Sequence, residues 1–79
     1  MILKPGDSGT SGALAADKVF YVAAGVVQIS TDAGATKIPF YGPEYSTLNI
    51  GDKVVISSGL TALYYNERNK DAELRILPI

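Results

Sequence analysis

The chain has 79 residues, seven Lys+Arg against eight Asp+Glu, a formal net charge of −1, and neither cysteine nor histidine. That composition excludes a disulfide scaffold, a cysteine nucleophile, a Ser-His-Asp triad and histidine-bearing zinc sites. With 47% hydrophobic residues the chain has enough apolar content to fold, and its length accommodates one small domain over residues 1–79.

Charge is balanced along the chain. Lys4, Lys18 and Lys37 face Asp7, Asp17 and Asp32 in the first half; Lys53, Arg68, Lys70 and Arg75 face Glu44, Asp52, Glu67, Asp71 and Glu73 in the second. Neither half makes a basic field, so any nucleic-acid site must be local or assembled from several subunits. The first residues, Met1 to Asp7, show no basic stretch leading into an apolar run, and no signal peptide is read there. The longest apolar stretch, Val19 to Ile29, is broken by Gly25 and too short to span a bilayer. The expectation is a protein without membrane contact, cytoplasmic or, in a virus, virion-associated.

In chain order, residues 1–17 are rich in glycine, serine and alanine and read as an arm, with Ser11 placed to cap a short helix over Ala13–Asp17. From Lys18 the signals are those of strands. Val19–Ala24 is a compact β-branched and aromatic run, and Gly25 marks a bend or bulge. Val26–Thr31 alternates, with Val27 and Ile29 on one face and Gln28 and Ser30 on the other. Asp32–Ala35 is a turn. Thr36–Tyr41 alternates again, with Pro39 confining it to an edge. Gly42–Ser46 is a loop, and the Gly51-Asp52 turn leads into Lys53–Ser58. Gly59 separates that strand from Leu60–Tyr65. Asn66–Asp71 reads as a polar hairpin connection, and Glu73–Leu77 closes the chain with Leu74 and Ile76 inward. About five or six short strands with turns between them predict an all-β domain, a small SH3-like or Sm-like barrel, with or without a short N-terminal helix.

These alternating strands leave apolar residues on the outward face: Val26, Tyr41, Val55, Tyr65 and Leu77. A small barrel buries one face only, so covering such side chains is worth roughly 1.5–3 kcal/mol each. An oligomer interface is therefore assigned to Val26, Val55, Leu63, Tyr65 and Leu77, with exposed strand edges pairing to close a ring.

Two motifs fail on inspection. Gly6-Asp7-Ser8-Gly9 matches the tetrapeptide around the serine of chymotrypsin-like proteases, but no histidine is present to act as its base. The same stretch lacks the Gly-Lys-Ser/Thr ending of a phosphate loop. No catalytic or metal-ligating set is found, no cofactor is expected, and the chain reads as a non-enzyme. Tyr41 and Tyr45 flank the Gly42-Pro43 loop. Rings there, with Lys37, Arg68 and Lys70 nearby, suit the stacking of unpaired bases while the cations follow phosphates.

The run Val54-Val55-Ile56-Ser57-Ser58-Gly59-Leu60-Thr61-Ala62-Leu63-Tyr64 resembles, in hydrophobic rhythm, the second motif of the Sm-like proteins, small RNA-binding barrels that form rings. Ser57 and Ser58 stand where that motif has a basic residue, and the acidic-Asn pair of the first motif is missing. The resemblance implies a barrel, a cyclic homo-oligomer of about five to seven subunits, and single-stranded RNA or DNA as ligand. The competing expectation is a structural assembly protein, such as a phage virion or tail component, with no ligand.

Overall fold

The computed structural model describes residues 1–32 and 46–79. Within them run eight strands and no helix: β1 (Ile2–Leu3), β2 (Ser8–Ala13), β3 (Lys18–Ala24), β4 (Val27–Asp32), β5 (Ser46–Leu48), β6 (Lys53–Ile56), β7 (Thr61–Tyr65) and β8 (Ala72–Pro78). They form two antiparallel four-stranded sheets, β1-β8-β3-β6 and β2-β7-β4-β5. Apart from β4 and β5, which are neighbours, every pair of successive strands is split between the sheets. Eight strands in two facing sheets with this order make a jelly roll.

The core follows the period of two. Leu3, Phe20, Val22, Val27, Ile29, Leu48, Ile56, Ala62, Tyr64, Ala72 and Leu74 are buried between the sheets, with Leu14, Val54, Leu60 and Ile76 packed against them. Val27 and Ile29 on β4, and Leu74 and Ile76 on β8, point inward as their alternation requires. Gly25, between β3 and β4, carries the chain from one sheet to the other.

Four expectations are corrected. The architecture is two sheets of four strands, not one SH3-like or Sm-like barrel of about five or six. The stretch that resembles the Sm motif spans β6 and β7, which lie in opposite sheets. Asn66–Asp71 is no hairpin, because β7 and β8 are not paired; the loop crosses between sheets. Ala13–Asp17 forms no helix, and the small-residue segment before it holds β1 and β2.

That segment is a strand for a steric reason that composition hides. Gly9 pairs with Tyr64 and lies against its ring: a Cβ on Gly9 would stand 2.7 Å from Tyr64 Cε1. The ladder is interrupted between Thr10 and Ala13, and there the Ser11 hydroxyl accepts the Ala62 N–H at 3.0 Å. Small residues therefore serve a close approach and a bulge, with a side-chain oxygen standing in for the missing carbonyl.

Asn66 fixes the crossing from β7 to β8. It is fully buried, and its Nδ2 donates to the carbonyls of Leu3 and Lys70, both at 2.8 Å, while its Oδ1 accepts the Arg68 N–H at 2.9 Å. Its backbone N–H donates to the Asp7 carbonyl, and its carbonyl accepts from the Gly6 N–H, both at 2.9 Å. One side chain thus ties β1, in the first sheet, to the loop leaving the second.

Candidate protein-interaction surface

The two sheets turn different outer faces to solvent. On the first, one cross-strand row runs Val55–Val19–Leu77 over β6, β3 and β8, and the next runs Lys53–Tyr21–Arg75. Beyond them Ile2 pairs with Glu73, whose carboxylate accepts from Arg75 Nε at 2.9 Å. Among the described residues the exposed large hydrophobics are Met1, Ile2, Ile50, Val55, Leu77 and Ile79. Five lie on or beside strands of this sheet, and the sixth, Ile50, is in the turn that enters β6. Between the rows is a groove of ≈ 300 Å³ lined by Val19, Tyr21, Gly51, Lys53, Leu77 and Pro78.

The outer face of the second sheet mixes polar residues with the half-buried Leu63 and Tyr65. Gln28 and Ser30 point outward from β4, yet only 4% and 9% of their surface is exposed. The Gln28 amide donates to Glu67 Oε1 at 2.7 Å and its carbonyl accepts from the Thr47 hydroxyl at 2.8 Å. Leu63 pairs with Thr10 and Ser30, and Tyr65 with Ser8 and Gln28.

The residues assigned to an interface from sequence are therefore divided. Val55 and Leu77 share the first face and bracket Val19, which the sequence reading left unassigned. Leu63 and Tyr65 belong to the opposite face, since β7 is in the other sheet. Val26 lies in neither strand system; with Gly25, Arg68, Asn69 and Lys70 it lines a pocket of ≈ 290 Å³. Arg68 and Lys70 do come together there, but Glu67 and Asp71 in the same loop match their charge, and Arg68 Nε lies 3.8 Å from Glu67 Oε1. Lys37, Tyr41 and Tyr45, like the strand read at Thr36–Tyr41, lie outside the described residues. Val19 was legible as the i−2 neighbour of Tyr21 in an apolar strand. Ile50 had no periodic signal, because turns have none.

No protein-family model matches the chain, and no curated protein sequence matches it. Among solved structures it is similar to the cupin domain of Drosophila melanogaster CENP-C. In the structure of CENP-C bound to CAL1 the TM-score is 0.77 and the identity 24%, over 98% of this chain and 59% of that one. Two further structures of the CENP-C cupin domain give a TM-score of 0.76 at 24% identity, again over 98% of this chain and over 56% and 54% of theirs. The chain thus spans a little over half the length of the structures it matches. At this identity the likeness defines the fold, a cupin-type jelly roll, and it overturns the Sm-like resemblance.

Proposed function

We propose that the protein is a non-enzymatic assembly module that pairs with a second copy of itself through the outer face of the β1-β8-β3-β6 sheet. The observation that carries this reading is the grouping of the exposed large hydrophobics on and beside that sheet, set against an opposite face whose apolar members, Leu63 and Tyr65, are half-buried. Contiguous apolar surface on a small domain marks an interface. Three further observations favour a second copy. The Cα framework measures 31 × 27 × 17 Å, so its largest cross-section is on the order of the 800 Å² per partner of a stable interface. A net charge of −1 gives identical copies almost no mutual repulsion. The sheet edges suit pairing poorly: β1 has two residues, β5 three and β6 four, and β2 carries a bulge. Face-to-face pairing is thus preferred to the edge-closed ring expected from sequence. Drosophila melanogaster CENP-C has been crystallised bound to CAL1, which accords with a binding role for such a fold.

The test is mass by light scattering across a tenfold concentration range. The wild type is expected as a dimer, and Val19→Asp with Leu77→Asp as a folded monomer, since each carboxylate would be buried unpaired. A wild type that stays monomeric throughout overturns the reading. Nucleic-acid binding through Arg68 and Lys70 ranks second, supported by their shared pocket and opposed by Glu67 and Asp71. Tight, salt-sensitive binding of a single-stranded oligonucleotide would bring it forward.

A further inference from the structure

Two turns of this molecule are built alike. In Lys4-Pro5-Gly6-Asp7 the Asp7 N–H donates to the Lys4 carbonyl, and the Lys4 N–H donates to Asp7 Oδ2, both at 2.9 Å. In Asn49-Ile50-Gly51-Asp52 the Asp52 N–H donates to the Asn49 carbonyl, and the Asn49 N–H donates to Asp52 Oδ2, again both at 2.9 Å. Gly6 and Gly51 have φ of 85° and 88°, and no non-glycine residue among those described has positive φ. Both are therefore type II turns, with Pro5 and Ile50 at the second position.

Proline suits that position because its ring presets φ, and a solvent-facing turn tip has no use for an aliphatic side chain. Pro5 follows this logic; Ile50 does not. The residue is 67% exposed, second only to Ile79 among the exposed large hydrophobics of the described residues. The turn that presents it is doubly hydrogen-bonded within itself and anchored to β3, where the Gly51 N–H donates to the Val22 carbonyl at 2.9 Å and the Asp52 carbonyl accepts the Val22 N–H at 3.0 Å. Ile50 is thus a rigidly held apolar projection. It stands next to Gly51, which lines the ≈ 300 Å³ groove between Val19 and Leu77.

We infer that Ile50 is the residue that specifies self-pairing: in the assembled protein it enters the Val19–Leu77 groove of a second copy. This deepens the self-association proposed above and rests on it. Because Ile50 stands at the rim of its own groove, a single two-fold axis passing beside that rim places each Ile50 over the other copy's groove, as an isologous interface requires. A preformed turn loses little freedom on insertion, so one side chain can act as an anchor.

The sister turn supplies the test. Ile50→Pro copies Pro5 and keeps the turn geometry while removing the projection. The Ile50 N–H is not among the hydrogen-bonded groups of this turn, so the substitution leaves its bonds in place. Sedimentation equilibrium of the full chain is expected to show self-association weakened about ten- to a hundredfold in Ile50→Pro, with a melting temperature, compared at dilutions where both proteins are monomers, equal to or above that of the wild type. Ile50→Leu is expected to restore most of the affinity. Undiminished dimerisation by Ile50→Pro, where Val19→Asp with Leu77→Asp gives monomers, overturns the role of Ile50 and leaves the face as the interface. A monomeric wild type overturns both.

Discussion

The outer faces of the two sheets use alternation in opposite ways. On β3, β6 and β8 the outward positions of the first sheet carry an apolar row, Val19, Val55 and Leu77, beside a row of Lys53, Tyr21 and Arg75. On β4 the outward residues are Gln28 and Ser30, buried and, for Gln28, held by Glu67 and Thr47. The centre of the second face is held within the chain, by Gln28 and the two polar groups that satisfy it. The first closes only against something else. In a small fold, then, the period of two shows where the core is, while the composition of the other face shows where a partner belongs.

The largest expected effect removes the frame that holds both faces. Asn66→Ala deletes two donated bonds and one accepted bond from a fully buried side chain, and strands the carbonyls of Leu3 and Lys70 and the N–H of Arg68. The expected loss is about 3 kcal/mol or more, a large share of the stability of a domain this size. Urea unfolding measures it; a loss below about 1 kcal/mol would mean that water replaces the side chain and that the crossing loop is not pinned.

Asn66 also marks the limit of what the sequence disclosed. The strands from β3 onward that were read, and the inward set of Val27, Ile29, Leu74 and Ile76, were legible because periodicity is a local property. Which strands pair is not local. The same runs serve one barrel or two sheets, and a buried Asn in a polar connection reads as a hairpin tip until its partners, up to 63 positions away, are known. Likewise β2 was hidden because glycine and serine signal loops, whereas here Gly9 makes room for a ring and Ser11 completes a ladder. Of the candidate interface, Val55 and Leu77 were legible from alternation. Leu63 and Tyr65 were grouped with them because one barrel has one outside, and two sheets have two.

A smaller effect sharpens the contrast between the faces. Gln28→Ala leaves Thr47 and Glu67 without their shared partner and is expected to cost the monomer about 1–2 kcal/mol. Val55→Thr, at a position 56% exposed, is expected to change monomer stability by less than about 0.5 kcal/mol and to weaken self-association instead. Unfolding and light scattering on both variants should therefore give a crossed pattern. If both variants move the same observable, the two faces do not differ in the way described.

The smallest effect is seen only at alkaline pH, and it concerns Tyr64, an inward-facing residue of the second sheet. Burial under Gly9 raises the pKa of its hydroxyl above the usual tyrosine value of 10.0. In the unfolded chain the same hydroxyl ionises near that ordinary value. Above it the unfolded state binds fewer protons than the native state, so stability must fall as pH rises and is fully retained below it. Urea midpoints from about pH 8 to about pH 11 should decline for the wild type beyond about pH 10 and decline less steeply for Tyr64→Phe. Parallel curves would show that the ring ionises as freely in the fold as outside it. In that case the close contact with Gly9 would not exclude water, and the tight packing of β2 on β7 would lose its physical basis.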